Sequence, residues 1–450
     1  MLKHLRNVTI LLIILGVAAG YYFTRGDTAR LPLEATTGVE PQLTNVRSEN
    51  FPTINVAEAE PWGEGEGPLA ADGLVVERFA EGLDHPRTMF RLPNGDLLVA
   101  ETNSPPRTNK GIEGWFLRNL MSKAGAGTES ANRISLLRDT DQDGQVDEKF
   151  TFLENLNSPF GMALIDETFY VADTDAVYAY PYAEGETTIT AESRKVAILN
   201  AKAPNNHWTR DLLASQDGKF LYISVGSNSN IGENGMELEK ERAAILRVEL
   251  ATNKKAIYAD GMRNPVGMAY LPGTDKFYTV VNERDMLGSD MVPDYLTEVR
   301  WGSHYGWPWH FWGGHVDPRI DAKNLDHRQY ERRPDYALGA HTAPLGLAFS
   351  HGQALGKPFN TGAIVARHGS WNRKPLSGYD VVYVNFNERG VPEGKPVTIL
   401  SGFTNEEEMA RGRPAMVAFD ETGALLVSDD VGGIIWRVSR KAVTGGAAAE

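Results

Sequence analysis

The chain contains no cysteine. Disulfide bonds, zinc–thiolate sites and a cysteine nucleophile are therefore excluded, although this absence does not by itself identify the cellular compartment. An excess of positive charge is also missing, because the formal net charge of the 450 residues is −14 at pH 7. Since non-specific nucleic-acid binding depends on basic surfaces, the charge argues against a nucleic-acid partner and suits a protein that handles a neutral ligand or a small anion.

Long hydrophobic runs are scarce, and the clearest one lies near the N-terminus. Lys3 and Arg6 precede an uncharged, apolar run over residues 8–23, which is shorter than the ~20 residues of a full membrane span. A basic start followed by an apolar core is typical of an export signal. Val17-Ala18-Ala19 offers a cleavage site, whereas Tyr21-Tyr22-Phe23 suits an uncleaved anchor, and both alternatives stay open. We expect a periplasmic or other extracytoplasmic location, with residues 8–23 as the tether if the segment is retained.

Composition divides the chain into four parts. Residues 1–24 form the predicted signal peptide or signal anchor. Residues 25–71 are rich in Pro, Gly, Glu and Thr without hydrophobic periodicity, which predicts a flexible linker. Residues 72–440 form the predicted main domain, and residues 441–450 form a disordered tail rich in glycine and alanine.

A short pattern occurs six times in the main domain. Each copy begins with a proline or polar residue and a small apolar turn, and it leads into an alternating strand that ends in polar residues. The copies start at residues 85–90, 158–163, 206–208, 263–268, 343–348 and 413–418. Repeated β units at such intervals indicate a radial architecture, so the sequence predicts an all-β, six-bladed β-propeller. Ligands of a propeller bind at a mouth of its central tunnel, which makes the polar residues at the blade starts the candidates for a site.

Basic and histidine side chains occupy several of these blade starts. His207 is a candidate general base, because the pKa of histidine lies near working pH; a loop-capping hydrogen bond is the alternative. Arg263-Asn264 begins the fourth copy and Arg411-Gly412-Arg413 begins the sixth, while Arg373 follows the fifth. Guanidinium groups that converge on one tunnel need an anionic ligand or acidic partners, so a bound carboxylate and inter-blade salt bridges both stay open.

Two acidic loops have the composition of a hard-cation site. The first, residues 282–290, could offer carboxylates and backbone carbonyls to calcium, although a solvated acidic loop has the same composition. The second places Asp139, Asp141, Asp143 and Asp147 at positions one, three, five and nine of an EF-hand-like loop, but position twelve is Phe150. A calcium-stabilised hairpin and a metal-free turn both fit this second loop, and either role is structural.

Taken in order, these motifs resemble one known family. The order is His207, Arg263-Asn264, the loop of residues 282–294, Tyr305-Gly306-Trp307-Pro308 and Arg411-x-Arg413. It resembles the soluble sugar dehydrogenases that depend on pyrroloquinoline quinone, and among them the sorbosone and aldose sugar dehydrogenase branch. The resemblance covers roughly residues 73–440.

The resemblance implies a role for each candidate residue. His207 would be the catalytic base, and Arg263 and Asn264 would face the quinone oxygens. Arg411 and Arg413 would hold the cofactor carboxylates, with Arg373 as a further basic group. The backbone carbonyls of Leu287 and Gly288 would ligate a calcium ion shared with the cofactor.

The implied activity is the oxidation of an aldose or a sugar aldehyde such as sorbosone, with electrons passed to a quinone or a cytochrome. Two alternatives belong to other classes of protein. A calcium-dependent lactonase propeller would use Glu101, Asn264 and Asp429 around a central metal, which leaves Arg411 and Arg413 without a role. A non-catalytic, tethered propeller that binds glycans or proteins would suit the acidic linker but not a histidine–arginine cluster.

Overall fold

A computed structural model describes residues 7, 9–10, 12–16, 20, 25–106, 111–321, 325–352 and 355–441. The predicted export segment of residues 1–24 lies mostly outside these ranges, and so does the predicted tail beyond Lys441. Among the residues described, no helix combines the length and the hydropathy that a membrane span requires.

The described chain is built almost entirely from short strands. In chain order they are β1 (Thr37–Gly38), β2 (Leu69–Ala70), β3 (Leu74–Ala80), β4 (Pro86–Arg91), β5 (Leu97–Glu101), β6 (Arg133–Arg138), β7 (Glu148–Leu153), β8 (Met162–Ile165), β9 (Thr168–Ala172), β10 (Ala176–Pro181), β11 (Arg194–Ile198), β12 (Leu212–Ala214), β13 (Phe220–Val225), β14 (Ala244–Glu249), β15 (Lys254–Asp260), β16 (Asn264–Tyr270), β17 (Phe277–Asn282), β18 (Pro293–Glu298), β19 (His310–Phe311), β20 (His315–Val316), β21 (Tyr336–Ala340), β22 (Pro344–His351), β23 (Thr361–Arg367), β24 (Asp380–Phe386), β25 (Pro392–Ser401), β26 (Pro414–Phe419), β27 (Leu425–Asp429) and β28 (Ile434–Arg440). Helical segments after residue 25 are α1 (Gly111–Lys123) and the 3₁₀ turns Leu33–Thr36 and Leu325–Tyr330.

These strands form the predicted six-bladed propeller, which confirms the fold class. Blades 1, 2 and 3 are β4–β7, β8–β11 and β12–β15. Blade 4 consists of β16, β17, β18 and β21, and blade 5 consists of β22–β25. Blade 6 joins both ends of the domain, because β3 pairs with β28 along Leu74–Ala80. The inner strands β4, β8, β12, β16, β22 and β26 contact one another in sequence and close the ring.

Neighbouring inner strands approach so closely that glycine is required at the blade starts. A Cβ atom at Gly161 would lie 2.3 Å from the Leu212 nitrogen of blade 3, and one at Gly267 would lie 2.5 Å from the Leu345 oxygen of blade 5. Gly346 approaches blade 6 in the same way. No side chain fits at such distances, so the small residue of the repeat is explained by contact between blades.

Apolar side chains from the blade starts fill the tunnel below the mouth. Phe160, Trp208, Val266, Leu345 and Ala415 come from five blades and belong to one buried cluster. The rings of Phe160 and Trp208 meet edge to face with centroids 6.0 Å apart. The polar residues that precede the inner strands therefore lie above an apolar floor.

Residues 25–71, named here the N-terminal arm, lie against the propeller. Strand β1 of the arm pairs with β21 at the edge of blade 4, and β2 pairs with β25 at the edge of blade 5. The Trp62 ring contacts Phe403 and Trp436 edge to face at 5.8 and 5.5 Å. This arrangement differs from the predicted flexible linker. The edges of blades 4 and 5 supply backbone hydrogen bonds to the arm, and the arm's own sequence has no periodicity that would predict this pairing.

The buried carboxylate of Asp429 joins the arm to blade 6 and provides a test of this packing. Asp429 is fully buried, its Oδ1 accepts the backbone N–H groups of Arg413 and Gly432, and its Oδ2 accepts the indole N–H groups of Trp62 and Trp436. We expect Asp429→Ala to lower the free energy of unfolding by about 3 kcal/mol or more, because several buried donors lose their acceptor. Urea unfolding measures this change, with the exposed Asp72→Ala as the control; an equal, small effect of both substitutions would contradict it.

Candidate functional site

The start of each inner strand lies beside the end of the second strand of the same blade. The antiparallel register pairs Pro86 with Glu101 in blade 1, and it pairs Asn264 with Asn282 in blade 4. Residues before the inner strands and after the second strands of all six blades therefore share one end of the tunnel. Two groups of buried and half-buried polar side chains lie at this mouth.

The first group is centred on His207 of blade 3. Its Nδ1 lies 2.8 Å from the Ser227 carbonyl oxygen and 3.0 Å from Ser227 Oγ. A carbonyl can only accept, so Nδ1 carries the proton and Nε2 is left as an acceptor. Burial, with the nearby Arg263 and Arg242 guanidinium groups, holds the pKa of His207 well below its usual value, although Asp285 opposes the shift. His207 is therefore a neutral imidazole at neutral pH, with its basic nitrogen unprotonated.

Arg263 and Asn264 lie directly beside this histidine. A Cβ atom at Gly226 would contact both Asn264 Oδ1 and His207 Cβ, at 2.1 and 2.5 Å. Asn264 Oδ1 is buried and has no hydrogen-bond partner. Arg263 donates to the Glu283 carbonyl at 2.7 Å and to the Asp285 carboxylate at 2.8 Å. The structure thus brings together the three residues that the sequence predicted for blades 3 and 4.

Asp285 connects Arg263 to a histidine of blade 4 that the sequence analysis did not single out. His341 Nδ1 lies 3.6 Å from Asp285 Oδ1, and His341 Nε2 lies 3.0 Å from the Gly288 carbonyl oxygen. Burial opposes ionisation of Asp285, but Arg263 keeps its pKa below the usual value. Burial likewise opposes protonation of His341, but Asp285 raises its pKa. Arg263 is therefore hydrogen-bonded to Asp285, and the imidazole of His341 lies on the other side of the same carboxylate.

The second group surrounds Asp430 at the end of β27. Its Oδ2 lies 2.9 Å from both Arg87 Nε and His368 Nε2, and 3.6 Å from His85 Nε2. Burial opposes ionisation of Asp430, but Arg87 holds its pKa well below the usual value. Burial also lowers the pKa of His85 to about 4 and of His368 to about 3, against the opposing charge of Asp430. Both histidines are neutral, so the group carries one anion and at least one cation.

Arg413 extends the second group towards blade 5. It donates Nε to the His368 carbonyl at 3.2 Å and Nη2 to the Tyr379 hydroxyl at 3.3 Å, and its guanidinium lies over the Tyr379 ring. Arg87 lies 6.0 Å from the ring centroid of Trp208, which belongs to the apolar floor and follows His207 in sequence. The two groups therefore meet across Trp208.

Arg411 and Arg373 lie outside both groups, which differs from the predicted convergence. Arg411 pairs with Glu66 of the N-terminal arm at 2.5 Å and is about a quarter exposed. A regular strand would place residues i and i+2 on one face, but Arg411 lies in a bend before β26, and the two side chains bind different partners. Arg373 is buried under the arm and donates Nη1 to the Pro375 carbonyl at 2.7 Å, while its Nε has no partner.

The loop after β17 does not fit the calcium site that the resemblance implies. The Leu287 carbonyl accepts the Arg47 backbone N–H at 3.0 Å, and the Gly288 carbonyl faces the His341 imidazole. The carbonyl of Asp285 accepts Arg319 Nη1 at 2.7 Å. The Arg319 guanidinium already holds one of these carbonyls, and its charge would repel a divalent ion bound to the same oxygen. Leu287 and Gly288 therefore bind protein groups of the arm and the mouth instead.

The second acidic loop keeps the geometry of a cation site. Carboxylate oxygens of Asp139, Asp141 and Asp147 lie within 4.8 Å of one another, and one oxygen of Asp139 is buried without a partner. Asp143 is not part of this trio, and its Oδ1 accepts the Gln145 backbone N–H at 2.8 Å. The loop joins β6 to β7 in blade 1, away from the mouth groups.

Several residues of the mouth were missed by sequence reasoning. His85 and Arg87 flank Pro86 at the start of the first copy, so inspection of the polar residues at every blade start could have found them. Asp430 follows the strand of the sixth copy, which was recognised only as a polar strand end. His368 and His341 lie in stretches without a repeat signal, and only the fold brings them to the mouth.

A family model and two named relatives match most of this chain. A model of the family described as TrAA12-like matches residues 68–295 and 316–441. A pyrroloquinoline quinone-dependent sugar dehydrogenase of Hypocrea jecorina is 23% identical over 451 residues, which cover 88% of this chain and 94% of that protein. A pyrroloquinoline quinone-dependent pyranose dehydrogenase of Coprinopsis cinerea is 31% identical over 375 residues, which cover 74% of this chain and 46% of that protein.

Solved structures agree on the fold. The holo form of the pyrroloquinoline quinone domain of pyranose dehydrogenase from Coprinopsis cinerea aligns with a TM-score of 0.67 at 18% identity. The alignment covers 86% of this chain and all of that domain. At this identity the likeness supports the propeller fold.

Calcium titration tests the two loops separately. We expect calorimetry to detect calcium binding at the Asp139–Asp147 loop, which Asp141→Asn abolishes because it removes one of three clustered carboxylates. The exposed Asp72→Asn serves as the matched control. Binding that survives Asp141→Asn and disappears when Asp285 is replaced by asparagine would place the ion at the mouth and contradict the expectation.

Proposed function

The chain belongs to the TrAA12-like family, and from that premise we propose that it is a pyrroloquinoline quinone-dependent oxidoreductase in which His207 removes the proton of a sugar hydroxyl. The family resemblance predicted from the sequence is confirmed by the family model and by relatives named as pyrroloquinoline quinone-dependent sugar and pyranose dehydrogenases. One observation supports the proposal above all: a neutral histidine with an unprotonated Nε2 lies at the propeller mouth beside Arg263 and Asn264.

The residues of the mouth fit the cofactor, which is a quinone with three carboxylates. Arg87, which is buried, and Arg413, which is half-buried, are cations suited to the carboxylates, and Asp430 holds Arg87 at 2.9 Å. Asn264 Oδ1 is a buried atom without a hydrogen-bond partner. Arg263 and Asn264 would hold the quinone end, because they adjoin His207. When bound, the cofactor supplies an electrophilic quinone that takes up hydride from the sugar carbon.

The chain's own residues provide the acceptor for the proton that leaves the sugar hydroxyl. Nδ1 of His207 stays bonded to the Ser227 carbonyl, so the sugar hydroxyl proton goes to Nε2. The lowered pKa keeps this nitrogen free at neutral pH, and the Asp285 carboxylate favours the imidazolium that forms. Arg263 is held by Asp285 and by the Glu283 carbonyl, which fixes its orientation towards the ligand.

The substrate class, the electron acceptor and the cellular location are further parts of the proposed function. The substrate would be an aldose oxidised at its anomeric carbon or a sugar aldehyde such as sorbosone. Electrons would pass to a quinone or a cytochrome, and residues 8–23 would direct export to the periplasm, as a cleaved signal or as a membrane tether. The proposal assigns calcium to the Asp139–Asp147 loop rather than to Leu287 and Gly288, because the carbonyls of these two residues bind protein groups.

The lactonase alternative lacks support from the residues it needs. Glu101 is bound by Arg133, Ser135 and the Asp84 backbone N–H, and Asp429 is bound by four N–H donors. Neither carboxylate has an oxygen free for a central metal ion.

Reconstitution tests the activity. We expect the purified protein with pyrroloquinoline quinone and calcium to reduce a dye in the presence of an aldose, and His207→Ala to lower kcat by about 10²- to 10⁴-fold while cofactor binding persists. The exposed His315→Ala is the matched control. Absence of any sugar-dependent reduction, with the visible spectrum of the cofactor unchanged on mixing, would contradict the proposal.

The Arg411-x-Arg413 motif contains its own control. Arg413→Met should weaken cofactor binding about 10- to 100-fold, because it removes charge-assisted hydrogen bonds at the mouth. Arg411→Met should have little effect, since that side chain pairs with Glu66 on the surface. Fluorescence titration with the cofactor measures both affinities, and an equal loss in the two variants would instead support the convergence predicted from the sequence.

A further inference from the structure

Arg242 makes an unusually complete set of hydrogen bonds beneath His207. It precedes β14, is 4% exposed, and uses all five of its N–H groups. The five acceptors are all uncharged oxygens: the carbonyls of Gly226 (2.8 Å), Asn200 (2.9 Å), His207 (2.7 Å) and Ser227 (3.0 Å), and Asn205 Oδ1 (2.7 Å).

Two of these acceptors determine where the imidazole lies. Arg242 Nη2 donates to the backbone carbonyl of His207 and also to the Ser227 carbonyl. The Ser227 carbonyl is the same oxygen that accepts His207 Nδ1. One guanidinium nitrogen thus fixes both the backbone of His207 and the acceptor of its side chain. Arg210, which is fully buried, donates a second bond to the His207 carbonyl at 2.9 Å.

The charge of Arg242 is not neutralised by contact with a carboxylate. Within the described chain, none of the ion pairs within 4.0 Å includes Arg242, and Glu239 acts on it only through space. The charged groups that act on His207 are Arg263 and Arg242, which disfavour its protonated form, and Asp285, which favours it. A carbonyl-bound cation therefore lies directly behind the base.

We propose that Arg242 is the positioning residue of His207, holding its ring and its Nδ1–H tautomer so that Nε2 faces the ligand. This inference rests on the proposed function for the identity of the base, but the placement of the ring is a property of the free protein. The conservative replacement by lysine keeps the charge and removes the planar set of donors. The replacement by methionine removes both.

Kinetics and histidine NMR of Arg242→Met and Arg242→Lys test the proposal. We expect Arg242→Met to lower kcat about 10- to 100-fold with the KM for sugar nearly unchanged, because misplacement of a base affects the chemical step. The acid limb of kcat/KM and the NMR titration of His207 should both move to higher pH, since a cation has been removed. Arg242→Lys should lower kcat without moving the titration. Arg389→Met, on the exposed surface, is the matched control.

The outcomes separate the two hypotheses. A folded Arg242→Met protein with wild-type kcat and an unmoved His207 titration overturns the positioning role. If Arg242→Met does not fold, Arg242→Lys decides, and wild-type kcat with an unchanged imidazole tautomer in its ¹⁵N spectrum overturns the role. The NMR measurement needs neither sugar nor cofactor. A sugar oxidation that survives His207→Ala therefore refutes the proposed base, while the anchoring of the ring by Arg242 is judged on the spectrum alone.

Discussion

The backbone contact between neighbouring inner strands is the constraint on which the mouth depends. At Gly161, Gly267 and Gly346 a blade touches the next blade without any side chain between them. This spacing leaves the residue before each inner strand little freedom, because a shift of one blade is transmitted around the closed ring. The same kind of contact at Gly226 holds Asn264 against His207. The geometry of the mouth is thus tied to backbone packing between neighbouring blades.

The arginines around the mouth have two kinds of partner, although the protein as a whole is acidic. Arg87 and Arg263 meet carboxylates, Asp430 and Asp285, and so form pairs with little net charge. Arg242 and Arg210 meet carbonyl oxygens, whose dipoles satisfy their N–H groups and leave the charge in place. The carbonyl-bound arginines therefore create a local positive potential near His207, which suits an anionic ligand and keeps the imidazole neutral.

The sequence predicts the propeller and part of its mouth, because the six-fold repeat indicates both the number of blades and the position of each residue within a blade. Six copies predict six blades, and position within a copy places His207, Arg263 and Arg413 together. The repeat could not separate Arg411 from Arg413, since alternation would place residues i and i+2 on one face and the bend at Arg411 has no sequence signal. The N-terminal arm has no periodicity, and its binding partners are sheet edges that exist only after folding. The carbonyls that hold Arg242 and Arg319 are backbone groups, which every residue type possesses, so no sequence signal marks them.

Blade 6 takes its outer strand β3 from the beginning of the domain and its other three strands from the end. During synthesis, β3 is therefore made before the other strands of the ring, and its partner β28 is made last. Until that moment β3 lacks its hydrogen-bonding partner, and the apolar faces of blade 1 and of the newest blade are uncovered. A chain that is interrupted early keeps an unpaired strand and apolar faces, which favour association with other chains. Completion of the ring therefore removes both hazards in a single step.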